Sequence, residues 1–76
     1  MSAPLDLDDR MALAIAAIDA QLTGIGLMPL TALECVVLRD PYGYRPLITF
    51  LQAVHTLPLD EPLALLAEWH AWHGGH

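Results

Sequence analysis

The sequence predicts an all-α fold, a compact bundle of four short helices in a single domain over residues 1–76, with residues 1–5 frayed. Three observations support this prediction. Apolar residues recur at helical spacing, and capping residues or prolines stand where the periodic stretches begin. No stretch is a convincing strand, and proline or glycine separates the periodic stretches at the short intervals typical of compact helical packing.

The first helix shows the strongest periodicity. Asp6 is a suitable N-cap, and two further aspartates follow in the opening turn, where the helix dipole favours negative charge. Asp19 is expected on the face opposite the apolar stripe, and Gly24 and Gly26 are expected to end the helix. The stripe itself recurs at spacings of three and four and comprises Met11, Ile15, Ile18, Leu22 and Ile25.

The second helix is predicted to begin after Thr31. Glu34 follows three residues later, as in a capping box in which each side chain accepts a hydrogen bond from the other residue's backbone N–H. Asp40-Pro41-Tyr42-Gly43 then predicts a tight turn. Leu33, Val36, Val37 and Leu38 make the helix apolar nearly all round. This predicts a central position in the bundle.

Two more helices follow the turn. Pro46 suits the first turn of the third helix, and Leu57-Pro58 is expected to stop it. The predicted apolar face of this helix comprises Leu47, Phe50, Leu51 and Val54. Asp60 is predicted to cap the fourth helix and Gly74-Gly75 to close it. One apolar stripe of this helix comprises Leu63, Leu66, Ala67 and His70, and a second comprises Leu65, Trp69 and Trp72.

The apolar content exceeds what a domain of this size can bury. Hydrophobic residues make up 55% of the 76 residues and charged residues 16%, whereas a domain of about 60 residues buries only about 60% of its unfolded surface. We therefore expect the core to be completed by self-association or by a protein partner. The longest apolar run, Met11 to Ile18, ends at Asp19 and is much shorter than the roughly 20 residues of a spanning helix, so no membrane role is predicted.

The charge pattern restricts the partners and the location. The formal net charge is −6, and the cations are Arg10, Arg39 and Arg45, with no lysine. Such a chain lacks the cations for direct nucleic-acid binding or for docking on anionic lipid. Acidic residues precede the first apolar stretch, the reverse of a secretory signal, which predicts a cytoplasmic protein. Alanine and leucine supply 26 residues while lysine and asparagine are absent, which favours a bacterial source.

No enzymatic activity and no cofactor are predicted. No serine follows Ser2, so a Ser-His-Asp arrangement has no plausible nucleophile. The glycines form neither a phosphate-binding loop nor a dinucleotide fingerprint.

The histidines near the C-terminus provide an alternative function. His70, His73 and His76 are spaced by three, and imidazoles bind zinc, nickel or copper. A metal-binding protein is therefore an alternative. Against it, histidines near a helix C-terminus also interact favourably with the helix dipole, and a terminal Gly-Gly-His can be the remnant of a tag, so no metal ligand is assigned.

Aromatic residues and an arginine are the candidate partner-binding residues, because these types dominate the energetics of interfaces while some also fill core ends. The candidates are Tyr42, Tyr44, Arg45, Trp69 and Trp72. The predicted function is an acidic protein-interaction module, either a homodimer or an adaptor or inhibitor on a larger bacterial or phage protein. It would dock through parts of the first and fourth helices. A further alternative is a transcription-related regulator that does not contact DNA directly.

Two short stretches resemble known families. Leu30 to Arg39 resembles the opening of a LuxR-type helix-turn-helix domain, which would imply DNA binding. That resemblance ends after ten residues, because Asp40 to Arg45 lacks the family's small-residue turn and the third helix has no basic face. Leu66 to Trp72 is similar to a Glu-Trp-x-Ala-aromatic stretch of some small phage tail-assembly proteins, which implies an assembly or takeover role but assigns no residue.

Overall fold

The computed structural model describes residues 7–74 and confirms the all-α prediction. Its four helices are α1 (Leu7–Gly24), α2 (Ala32–Leu38), α3 (Tyr44–His55) and α4 (Asp60–Gly74), and no strand occurs in this range. Asp6, the predicted cap of α1, and Gly75, predicted to close α4, lie outside the described residues.

The longest two helices, α1 and α4, form the main pair of the fold. An ion pair joins Arg10 to Glu68, and the side-chain amide of Gln21 donates to the Pro58 carbonyl at 2.9 Å. Because residue numbers rise along α1 as they fall along its neighbour, the two helices run antiparallel. Between these contacts α1 buries one stripe, which comprises Met11, Ala14, Ile18 and Leu22.

The end of α1 confirms the predicted role of its glycines. Gly26 adopts a left-handed φ of 86°, and the Leu27 N–H donates back to the Leu22 carbonyl at 2.9 Å, as in a Schellman motif. Because α1 ends at Gly24, Ile25 lies one residue beyond the helix and does not continue its apolar stripe. Its side chain is 51% exposed, so its assignment to the buried stripe was wrong.

The capping box of α2 is confirmed, but its predicted central position is wrong. Thr31 Oγ1 accepts from the Glu34 N–H at 3.1 Å, and Glu34 Oε1 accepts from the Thr31 N–H at 2.9 Å. Of its seven residues the helix buries Leu38, whereas Leu33 and Val36 are exposed. A helix of two turns offers little area, and the longer α1 and α4 bury their apolar stripes against each other, so α2 lies at the periphery against α3.

A tight turn joins α2 to α3, as predicted. The Gly43 N–H donates to the Asp40 carbonyl at 3.1 Å. A Cβ at Gly43 would lie 2.9 Å from Asp40 Oδ2 and 3.0 Å from Val37 Cγ1, so a side chain there would require these two side chains to shift. Pro46 is the third residue of α3 and thus lies in its first turn, as predicted.

The buried face of α3 differs from the predicted one. Tyr44, Ile48 and Leu51 are buried at helical spacing, whereas Phe50 and Val54 of the predicted face are 57% and 55% exposed. The predicted face contained Leu51 but omitted Tyr44 and Ile48, both of which are buried. The ring of Tyr44 is part of the core and turns the first turn of the helix inward.

The connection from α3 to α4 is a short irregular segment. Thr56 ends α3 in the left-handed region with a φ of 54°. The Leu63 N–H donates to the Leu59 carbonyl at 3.0 Å, so Leu59 occupies the cap position of α4. Asp60, predicted as the cap, is instead the first helical residue, where its negative charge still interacts favourably with the helix dipole.

Candidate functional site

A buried histidine joins three of the helices. His70 on α4 is 8% exposed, and its ring stacks on Tyr44 with centroids 4.0 Å apart and planes 12° apart. Trp69 meets the same imidazole edge-on at 4.9 Å and 83°. The imidazole therefore fills the junction between the start of α3 and the last third of α4.

The same imidazole also holds the end of α2. His70 Nε2 lies 2.8 Å from the Leu38 carbonyl oxygen in a buried contact. Because a carbonyl can only accept, the hydrogen must be on Nε2. We call the set Leu38, Tyr44, Trp69 and His70 the histidine junction.

The structure divides the five predicted partner-binding residues between the interior and the surface. Tyr44 is 5% exposed and Trp69 is half-buried, so both pack in the histidine junction. Tyr42 and Trp72 are 88% and 57% exposed. Arg45 is exposed, and its Nε donates to the Tyr44 hydroxyl at 3.0 Å. Three of the five side chains are therefore accessible to another molecule.

The turn and the end of α4 lie near each other. The turn at residues 39–43 runs between Leu38 and Tyr44, both of which contact His70. Tyr42 lies in this turn, whereas Trp72 is two residues beyond His70 and therefore about 200° around α4 from the buried imidazole. The contacts of His70 therefore bring the turn to α4 but do not bring Trp72 to the turn.

A second group of exposed residues was not among the partner-binding residues predicted from the sequence. Ten large apolar side chains are exposed within the described part of the chain, and five of them fall in residues 25–36. They are Ile25 at 51%, Leu27 at 39%, Met28 at 84%, Leu33 at 72% and Val36 at 63%. We call residues 25–36 the apolar segment. Phe50, Val54 and Leu13 are further exposed apolar residues elsewhere on the surface.

The apolar segment carries almost no charge. Glu34 is its one charged residue, and that carboxylate is engaged by the Thr31 N–H within the capping box. The segment is also held in place rather than loose. Asp19 on α1 accepts a hydrogen bond from the Leu30 N–H at 2.7 Å, which ties the middle of the segment back to the main helix pair. Sequence reasoning placed Asp19 on the solvent side of α1 and missed this anchor.

Of the three histidines considered for metal binding, the structure describes the side chain of His70. His70 Nε2 is occupied by the Leu38 carbonyl, so coordination through that atom would break the contact. The side chain of His73 and all of His76 lie outside the described residues. Over the side chains that the structure describes, no group of three His, Cys, Asp or Glu residues is placed to hold a metal ion.

Two further findings bear on the class of protein. None of the helices between residues 7 and 74 combines the length and hydropathy needed to cross a bilayer. No protein-family model matches the chain, and no curated protein or solved structure is similar to it. The resemblances to helix-turn-helix and phage assembly proteins, the bacterial source and the regulatory alternative therefore stay predictions.

Proposed function

We propose that this chain is a protein-interaction module and that its main binding surface is the apolar segment. The observation that carries this proposal is the exposure of five large apolar side chains within twelve consecutive residues, beside a carboxylate already used in capping. Contiguous exposed apolar surface that is rimmed by polar groups is typical of sites that bind other proteins.

The exposed aromatic and arginine residues predicted from the sequence can add to this surface. Tyr42 lies in the turn after α2, and Arg45 is the second residue of α3. Tyrosine, tryptophan and arginine contribute strongly at interfaces because they combine large rigid area with a polar tip. We propose that Tyr42 and Arg45 extend the apolar segment, that Trp72 contributes on a separate face of α4, and that Tyr44 and Trp69 support the two exposed turn residues from the interior.

The packing of α1 and α4 shifts the proposed surface away from these two helices. Sequence reasoning assigned docking to parts of both, but they bury their main apolar stripes against each other. Leu13 and Trp72 are their exposed large apolar residues among those described. Five of the ten exposed large apolar residues therefore lie on the segment that precedes α2 and includes its first five residues.

Site-specific photo-crosslinking in living bacterial cells tests the proposal. A benzophenone-bearing phenylalanine analogue replaces Leu33, which is 72% exposed, and in a matched variant it replaces the exposed Ala64 on α4. We expect a discrete protein adduct from position 33 and none from position 64. Equal adduct yields at the two positions, with both variants folded by circular dichroism, would refute the assignment.

A further inference from the structure

We infer that the partner that covers the apolar segment is a protein segment of opposite charge, in which large apolar side chains are flanked by lysine or arginine. This inference rests on the proposed function and specifies the chemistry of its partner. It is carried by two carboxylates at the apolar segment, that of Glu34 within the segment and that of Asp19, which is hydrogen-bonded to it.

Both carboxylates are held at the segment by backbone N–H groups. Glu34 Oε1 accepts from the Thr31 N–H at 2.9 Å. Asp19 Oδ1 accepts from the Leu30 N–H at 2.7 Å. A backbone N–H is a neutral donor, so each carboxylate keeps its negative charge while it accepts the hydrogen bond. Both residues are half-buried, which leaves part of each accessible to a partner.

None of the chain's arginines forms an ion pair with either carboxylate. The chain has three arginines and no lysine. Arg10 forms its ion pair with Glu68. Arg39 and Arg45 donate hydrogen bonds to a backbone carbonyl and to a tyrosine hydroxyl instead. Positive charge that complements the two carboxylates is therefore left for a partner to supply.

The apolar side chains beside these carboxylates restrict the partner further. Leu33 and Val36 are exposed and stand one residue before and two residues after Glu34 in α2. A purely apolar partner would cover them but leave a carboxylate without a counter-charge, which is costly once water is excluded. Lysine and arginine avoid this cost, because their apolar stems cover apolar surface while the charged end reaches a carboxylate. A phosphate-bearing partner would be repelled by the net charge of −6.

Salt distinguishes this kind of partner from an apolar one. Exposed charges act over about 10 Å in 0.1 M salt but over only about 3 Å in 1 M salt. Because the inferred partner is attracted by charge as well as by apolar contact, added salt should weaken its binding. Binding through apolar contact alone should not weaken, since salt does not screen it.

Photo-crosslinking of the purified full chain in a clarified bacterial lysate, at low and high sodium chloride, tests the inference. With the benzophenone analogue at position 33, we expect the adduct yield to fall about five- to tenfold in high salt, because two attractions are screened. The crosslinked partner peptide, sequenced by mass spectrometry, should carry lysine or arginine within a few residues of the point of attachment.

Matched amide substitutions locate the charge dependence. Glu34→Gln and Asp19→Asn each remove one negative charge but keep an oxygen that can accept the backbone N–H. Each should lower the adduct yield about two- to fivefold. Asp9→Asn makes the same change at an exposed position about 15 Å along α1 from Asp19, and should leave the yield nearly unchanged. Circular dichroism establishes that the variants fold.

The other outcomes separate this inference from the proposed function. If position 33 captures a different protein with a yield that high salt does not lower, the opposite charge is excluded and the interaction module stands. This result does not require any amide variant to fold. Equal losses from Glu34→Gln and Asp9→Asn, or an adduct at twice 8.3 kDa from a second copy, would also overturn the inference. If position 33 gives no more adduct than position 64, both proposals fail.

Discussion

The apolar segment and α4 are similar in sequence but differ in what they bury. Both are rich in large apolar residues, yet α4 buries Pro62, Leu66 and His70 whereas the segment buries no residue at all. The fifteen residues of α4 have an antiparallel neighbour of comparable length in α1, while α2 has only seven residues and packs mainly on α3. Burial in this chain therefore depends on the length over which two helices pack together, and hydrophobicity alone does not predict it.

The largest expected contrast comes from matched leucine truncations in the two regions. Leu66 is fully buried, and Leu66→Ala should lower the free energy of unfolding by about 2–5 kcal/mol, because it removes packed atoms and leaves a cavity. Leu33→Ala, at a 72% exposed position, should change it by less than about 0.5 kcal/mol. Urea denaturation at a fixed low protein concentration measures both. A large loss from Leu33→Ala under these conditions would mean that the segment belongs to the core.

The next contrast concerns the hydrogen bond between His70 on α4 and the carbonyl of Leu38 at the end of α2. His70→Phe keeps an aromatic ring beside Tyr44 but removes the donor to the Leu38 carbonyl. We expect a loss of about 1–3 kcal/mol, since the buried carbonyl is left without this partner. Amide hydrogen exchange should quicken in α2 and in the turn after it more than in α1.

The control for this change is His55→Phe, at a half-buried histidine at the end of α3. It should leave exchange in α2 unaffected. If His70→Phe matches the parent protein in stability and in exchange, then the contact with Leu38 contributes nothing to holding α2.

The sequence was sufficient for the fold class and for most of the helix ends. Thr31 with Glu34, and Gly24 with Gly26, are local signals whose geometry depends on residues three or four apart, and both were confirmed. Local chemistry of this kind can be predicted from the sequence because the partners are close in the chain.

Tertiary contacts between distant residues were not predictable in the same way. The contact between His70 and Leu38 spans 32 residues, and the stack of His70 on Tyr44 joins two helices. With Tyr44 facing inward in these contacts, Phe50 and Val54 are exposed, although the apolar pattern had placed both on the buried face. The exposure of the apolar segment was missed for the same reason, since the pairing of α1 with α4 is not visible in either helix alone.

A smaller effect tests whether the segment unfolds on its own. Thr31→Ala removes the side chain that accepts the Glu34 N–H and should cost about 1 kcal/mol, the usual value of an N-cap. Because α2 is peripheral, we expect faster amide exchange in residues 32–38 while α1 and α4 keep their protection. Thr49→Ala, at an exposed position inside α3, serves as the control and should leave exchange in α2 unchanged. Uniform loss of protection across all four helices after Thr31→Ala would contradict the separation of the two regions.

The smallest effect concerns the two glycines where α1 passes into the apolar segment. Gly24 is helical, and a Cβ there would meet nothing within 4 Å. Gly24→Ala should therefore stabilise the protein by about 0.5–1 kcal/mol, because alanine lowers the conformational entropy of the unfolded chain. Gly26 has a φ of 86°, and Gly26→Ala should destabilise it by about 0.5–1 kcal/mol, since the left-handed strain outweighs the same entropic gain. Thermal unfolding of the two variants should therefore shift in opposite directions. If Gly26→Ala were neutral, the left-handed turn would not constrain the path of the chain into the segment, and Asp19 would be its main anchor.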